Sequence, residues 1–368
     1  MLSKNELRYT LALQRVSNLG DRTAKKLLHL LGSAEAVFKE KKRNLLKIDG
    51  IGASKLKGLN SAALLDEAND EIEFIETNKI SFSYFKDKSY PEALKHCHDG
   101  PILFFNTGNI DIQNKKIISI VGTRNITSYG KSFCEELISD LAMVNPVIVS
   151  GFAYGVDITA HRAAIENNLQ TIGCLAHGLD QIYPRSHKKY MEKICQNGGF
   201  ITEFWSTDAF DRNNFLKRNR IIAGISEATV VIESAEKGGS LVTADIAHSY
   251  NREVFAVPGK ATDLQSTGCN NLIKYHQARL ITSAADIIYM LGWKINENVN
   301  IAKQTKLFVE LTQEESILYE YLKKKDKVLL DNIALDCNFP TFKVSSLLLS
   351  MELKGVVRPL PGKLFQSV

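Results

Sequence analysis

What this chain has little of narrows its class before any motif is read. No apolar run approaches the ~18 residues that a membrane-spanning helix needs, so no membrane association is expected. Only six cysteines occur in 368 residues, Cys97, Cys134, Cys174, Cys195, Cys269 and Cys337, and none forms a C-x-x-C pair or stands at zinc-ligand spacing. Reduced thiols, a cytoplasmic location and no metal site are therefore expected. The N-terminus, MLSKNELRYTLALQRV, has scattered charges and no small-residue cleavage site, and so does not read as a signal peptide. Excess charge is also small: 46 Lys+Arg against 41 Asp+Glu leave a formal +5. That balance permits a polyanionic partner without requiring one, so the placement of the cations has to decide. With 44% hydrophobic and 24% charged residues the chain is of globular type, and its length suits two or three domains.

Three segments differ in pattern. Residues 1–75 are rich in Leu, Ala and Lys and read as helical. Within them, SNLGDRTAKKLL (17–28) aligns with DGIGASKLKGL (49–59), placing Gly20 and Gly52 32 positions apart. This predicts a helix-hairpin-helix (SAM-like) pair, whose glycine turns suit either a phosphate or plain packing. Residues 76–298 begin with a joining stretch to about 115 and then alternate short apolar runs with helix-length segments. The runs are IISIV (117–121), VIVS (147–150), TIGCLA (171–176), FIT (200–202), TVVIE (229–233) and VFAV (254–257). Continuous apolarity at strand length, alternating with helices, predicts an α/β, Rossmann-like doubly wound, mostly parallel sheet. Residues 299–368 open with a polar linker, NENVNIAKQTK, followed by three helical patterns and a hairpin, VVRPLPGKLFQSV. Thr312 and Glu315 form a capping box. Helix–helix–helix–hairpin is winged-helix-like, a module that uses cations such as Lys343, Lys354, Arg358 and Lys363 on phosphates, or docks proteins.

In such a sheet, ligands bind beyond the carboxyl ends of the strands, where this sequence places glycine repeatedly. The strand ends read Gly122-Thr123-Arg124, Gly151 with Gly155, His177-Gly178, Lys237-Gly238-Gly239-Ser240 and Pro258-Gly259. Free amides at the following helix starts favour an anion. Neither G-x-G-x-x-G nor a Walker A loop is present, so no nucleotide cofactor is expected and the ledge points to a phosphate backbone. Arg124, Arg185, Lys217, Arg218 and Arg220 are predicted on the same rim, with Arg218 and Arg220 where RNRIIAGI (218–225) should begin a helix. A cation at a helix start calls for an anion, either a ligand or a carboxylate of Glu203, Asp208 or Asp211. Tyr183 and Phe215 are placed to stack on bases. Candidate catalytic groups are few: Asp157/His161 and Asp245/His248 have helix-surface spacing, no G-x-S-x-G elbow occurs, and an enzyme is not expected.

The stretches IVGTRNITSYG, VSGFAYGVDITAH, GLDQIYP, RNRIIAGIS, GSLVTADIA and VFAVPG, in this order, resemble the DNA-processing protein A (DprA/Smf) family over about residues 80–290. The resemblance implies a non-catalytic protein that binds and protects single-stranded DNA, loads the RecA recombinase during natural transformation, and works as a homodimer. It assigns DNA contacts to Arg124, Gly151, Gly155, Arg185, Arg218, Asn219 and Arg220, and Gly122, Thr123, Tyr183, Phe215, Lys217 and Ser240, read from the rim itself, complete the expected contact set. Two positions depart from the family pattern. Leu216 stands where proline is usual, which leaves the loop less rigid, and His187 stands where asparagine is usual. Two other readings compete. KGGSLVTAD (237–245) approaches the pattern of nucleotide phosphoribohydrolases, but with its acid, Asp245, one residue out of register. The winged-helix-like segment would alternatively make the chain a transcription regulator.

Overall fold

All six runs read as buried strands are strands in the computed structural model, which describes residues 2–59, 61–294, 311–325, 327–360 and 362–367. The chain divides into two compact units, Met1–Glu297 and Asn298–Val368. In the first, nine strands form one sheet: β1 (Ser81–Tyr84), β2 (Leu103–Gly108), β3 (Ile117–Val121), β4 (Val147–Ser150), β5 (Thr171–Cys174), β6 (Gly198–Thr202), β7 (Ala228–Val231), β8 (Glu253–Ala256) and β9 (Arg279–Leu280). Their order is β1-β2-β6-β5-β4-β3-β7-β8-β9. From β6 to β9 neighbours are parallel, whereas β1 and β2 pair antiparallel with each other and β2 with β6. Every residue of β3, β4, β5, β6 and β7 is buried, which accounts for the absence of polar alternation in their sequences.

The stretch expected to be a mere connection (76–115) holds β1 and β2. Their residues SFSY and LFFNTG do not show the uniform apolarity that marks the central strands, because they form the sheet's antiparallel edge. One face of the sheet packs against helices Ser128–Leu141, Val156–Glu166 and Ala284–Met290, burying Leu137, Ile138, Ala160 and Ile287 with Ile118, Ile148 and Val230. The other carries helices Asn213–Ile225 and Gly239–Ser249, and its core runs on without interruption into Leu13, Leu27 and Leu28 of the N-terminal helices. The two expected hairpin turns share one backbone feature: Asn18 (φ 61) and Gly50 (φ 75) both take the left-handed conformation two residues before Gly20 and Gly52. Asparagine tolerates that region, so the first copy works without the glycine. Gly20 caps the helix Asp21–Leu31, while Gly52 precedes only a four-residue 3-10 turn, Ala53–Leu56.

In the second unit, helices Gln313–Lys324, Leu330–Asp336 and Thr341–Leu353 combine with a three-stranded sheet of β10 (Val328–Leu329), β11 (Val357–Leu360) and β12 (Leu364–Ser367). The polar linker expected before it lies outside the described residues. Thr312 and Glu315 do form a capping box. Glu315 is buried and also takes Lys354 (2.6 Å) and the Ser350 hydroxyl (2.7 Å), while Lys343 pairs with Glu314. Two of the cations expected to be available for phosphates are thus engaged by glutamates. Burial alone would raise the Glu315 pKa, but Lys354, the Thr312 amide and Ser350 hold it at about 2. A depressed carboxylate contributes stability above its unfolded-state pKa, and that contribution is lost as pH falls from about 4.5 toward 2. Amide protection factors in Gln313–Lys324, taken against intrinsic exchange rates at each pH, should therefore fall over that window, and Glu315→Gln should flatten the dependence. An unchanged profile in the variant would contradict this.

Candidate nucleic-acid interface

The sheet's switch point lies at β3, which has β4 on one side and β7 on the other, so the connections after these strands diverge. Beyond their carboxyl ends is a cavity of about 740 Å³. Gly122, Thr123 and Arg124 wall it after β3, Ala153 and Asp157 after β4, and Lys237, Gly238, Gly239 and Ser240 after β7. Backbone bonds fix the rim: the Thr123 amide donates to the Glu233 carbonyl (2.8 Å) and the Val156 amide to the Thr123 carbonyl (3.1 Å). The Glu233 carboxylate accepts from the Thr127 amide (2.8 Å) at the start of helix Ser128–Leu141, and a side chain at Gly130 would overlap it.

Arginine and aromatic side chains make the remaining wall. Phe215 has two guanidinium groups near its ring, Arg124 5.4 Å and Arg218 5.8 Å from the ring centre. It also meets Tyr183 (5.8 Å) and Phe210 (5.7 Å), which meet each other at 5.1 Å. Tyr183 is 39% and Phe210 49% exposed, so the cluster is open to a ligand. Arg124, Arg212 and Lys237 are exposed and have no carboxylate within ion-pair distance among the described residues. Opposite, helix Gly239–Ser249 starts on Gly238 without a side-chain cap, leaving its first amides facing the cavity. Unpaired cations, free amides and stackable rings around one cavity suit a polyanion with exposed bases.

Arg218 is the inner member of this wall and is only 4% exposed. Its Nη1 donates to the carbonyls of Gly151 (2.7 Å) and Cys174, and its Nε to Asn219 Oδ1 (3.2 Å). It therefore ties the ends of β4 and β5 to helix Asn213–Ile225. Burial lowers its pKa and Asp157 offsets part of that, while burial raises the pKa of Asp157, opposed by Arg218. Both side chains pass close over Gly151, where a Cβ would lie 2.6 Å from Asp157 Oδ2 and 2.7 Å from Arg218 Nη2. Gly155 has φ +75° and a Cβ there would overlap the Thr123 carbonyl, so it makes the turn and does not line the cavity. Between them Phe152 holds a left-handed φ of 58°, a conformation that costs about 1–3 kcal/mol unless its surroundings enforce it. His187 enforces it by donating from Nδ1 to the Phe152 carbonyl (3.0 Å).

Several expectations need correction. Arg218 and Arg220 do not begin a helix: the helix starts at Asn213, so both stand inside it, and Leu216 lies in its first turn, not in a loop. The helix-start argument for an anion fails at these two residues. Lys217 is exposed but outside the cavity wall, its Nζ 3.5 Å from Asn214 Oδ1, and Arg185 is exposed beyond the wall. Asp157 and His161 are not on a helix surface. His161 is wholly buried, donates to Thr171 Oγ1 (2.7 Å), and is pushed down to about 3 by burial. Asp245, the acid of the hydrolase-like pattern, is exposed and not part of the wall. Phe210, Arg212 and Gln265 were not foreseen; an isolated phenylalanine in the polar stretch STDAFDRNN is the one signal that could have found the first.

Arg220 belongs to a different site. Its guanidinium pairs with Glu203 at the end of β6 and with Asp21 (3.0 Å) in the N-terminal helix Asp21–Leu31, and donates to the Asp99 carbonyl. Asp21 also accepts from the Ile102 amide (2.8 Å), and Tyr250 donates to Asp99. Burial would lower the Arg220 pKa, yet Glu203 and Asp21 raise it overall; burial raises Glu203, opposed by Arg220. The carboxylate reading of this cation is the right one. Arg220→Ala leaves two carboxylates uncompensated and should cost roughly 3–5 kcal/mol in urea unfolding. Arg124→Ala, at an exposed unpaired position, should stay within about 0.5 kcal/mol. Equal effects from both would contradict the assignment.

Residues 81–292 match the DNA recombination-mediator protein A family model, and residues 307–363 match the DprA winged helix domain. DNA processing protein DprA of Bacillus subtilis is 39% identical over 201 residues, 54% of this chain and 67% of that one. The crystal structure of DNA processing protein A from Streptococcus pneumoniae superposes with a TM-score of 0.64 at 29% identity, covering 80% of this chain and all of that one. A structure of the Helicobacter pylori protein, which concerns its mode of single-stranded DNA binding, gives 0.52 at 29% identity over 58% of this chain and 95% of that one. With cavity, sheet order and sequence motifs in agreement, this chain belongs to the DNA processing protein A (DprA/Smf) family.

Proposed function

We propose that the chain binds single-stranded DNA in the cavity at the β3 switch point, without catalysing a reaction on it. The observation that carries this reading is the Phe215 ring with both Arg124 (5.4 Å) and Arg218 (5.8 Å) near its centre, in contact with the exposed rings of Tyr183 and Phe210. Bases splayed from a single strand stack on such rings, worth about 1–3 kcal/mol per base, while Arg124, Arg212 and Lys237 meet the phosphates. A duplex keeps its bases paired and cannot deliver them to the cluster. Single-stranded DNA binding by the Helicobacter pylori relative supports the same reading.

The non-catalytic role is supported by how the acids near the cavity are used. Asp157 accepts from the Ala153 amide (3.3 Å) and braces the turn after β4, and Glu233 caps a helix. Membership in a recombination-mediator family supports delivery of the bound strand to the RecA recombinase, in the cytoplasm and with the chain acting as a homodimer. Among the described residues, no helix is long and apolar enough to cross a membrane.

Anisotropy titrations of labelled single-stranded and duplex oligonucleotides across a salt series test the reading. The single strand should bind tighter. Arg124→Ala should flatten the slope of log K against log salt by about 0.7, one phosphate contact. Phe215→Ala should weaken binding by roughly 1–3 kcal/mol and leave the slope unchanged. Duplex binding as tight as single-strand binding, indifferent to both substitutions, would sink the proposal.

A further inference from the structure

Arg218 and Arg220 lie inside their helix, but a short distance away unpaired cations do stand at a helix start, where they favour an anion. Arg185 and His187 form a 3-10 turn that leads directly into helix Lys188–Gln196. Arg185, Lys188 and Lys189 are all exposed, and none has a carboxylate within ion-pair distance among the described residues. Lys189 lies over the Tyr190 ring (5.1 Å), and Glu192, one turn beyond Lys188, is not close enough to pair with it. The first turn of this helix holds no acid and has no side-chain cap. Such an arrangement is mildly unfavourable in the free protein.

An exposed aromatic stands beside these cations. Tyr154 is 46% exposed, its ring 4.9 Å from His187 and its hydroxyl oxygen accepting from the Ser186 hydroxyl (3.3 Å). The same hydrogen bond joins two loops that both begin at the cavity: Ala153 precedes Tyr154, and Tyr183 lies two residues before Arg185, and both line its wall. His187 is buried and fastened to the Phe152 carbonyl, so the turn carrying Arg185 and Lys188 is anchored to the residue that precedes Ala153 of the cavity wall.

We infer that the strand leaving the cavity past Arg185, already a contact that the family resemblance implies, runs over Tyr154 onto Lys188 and Lys189, a second contact segment that meets phosphates on the lysines and a base on the tyrosine. This rests on the single-strand reading of the cavity and gives it a direction across the surface. Length dependence separates the two. An oligothymidylate of about 5 nucleotides fills the cavity alone, while one of about 15 also covers the second segment. In the double variant Lys188→Gln, Lys189→Gln the salt slope for the longer strand should fall by about 1.4, two phosphate contacts, with the shorter strand unaffected. Tyr154→Ala should weaken the longer strand only. Equal losses for both lengths, or a wild-type slope for the longer strand in the double variant, would overturn the inference. Wild-type protein that binds neither length would overturn the cavity reading itself, and this extension with it.

Discussion

The geometry of the candidate interface depends on one buried ion network. Arg220, with its side chain 14% exposed, gathers Glu203 from the end of β6, Asp21 from an N-terminal helix and the backbone of Asp99. Burying three charged side chains is costly unless they are mutually paired, so these elements are fixed relative to one another. Because Arg220 and Arg218 are two residues apart on one helix, the anchoring of the first sets the position of the second. Arg15 with Asp208, and Glu71 with the Ser206 amide and hydroxyl, grip the preceding loop in the same way. The N-terminal helices thus hold the segment 203–220, which carries Phe210, Arg212, Phe215 and Arg218.

Around the cavity three cations divide by depth. Arg220 is consumed by carboxylates, Arg218 by backbone carbonyls at the ends of β4 and β5, and Arg124 by nothing but an aromatic face. Only the last is free to exchange its surroundings for a phosphate at little cost. Arg218 serves instead as a fixed positive wall beside Phe215, its Nη1 and Nε held by backbone carbonyls and by Asn219. The strained Phe152 and the turn at Gly155 belong to the same design, since they bring Thr123, Ala153 and Asp157 to one rim.

The central fold was legible because β3 to β8 are buried on both faces, and continuous apolarity is a signal that needs no context. β1 and β2 were not, since edge strands lack it. At the site, the glycine-rich strand ends and the Arg124–Phe215 side of the wall could be read from the sequence. The fate of Arg220 could not: Asp21 is 199 positions away, and only the fold brings it near. The helix boundary was misplaced by five residues, Arg218 against Asn213, because Asn213 and Asn214 give no apolar periodicity to mark the start. That slip alone turned two interior arginines into apparent helix-start cations. His187 and Leu216 likewise acquire meaning only in place, one as the bond that fixes Phe152, the other as an exposed residue (51%) at the cavity lip.

What the account claims above all is that bases of a single strand lie against the Tyr183–Phe210–Phe215 cluster. Photocrosslinking with an oligonucleotide carrying 5-iodouracil, followed by mass-spectrometric mapping, reads this contact directly. Adducts are expected on Tyr183, Phe210 or Phe215, disappearing when unlabelled single strand competes and persisting when duplex does. Adducts confined to residues 311–367, or spread over the surface without competition, would contradict it.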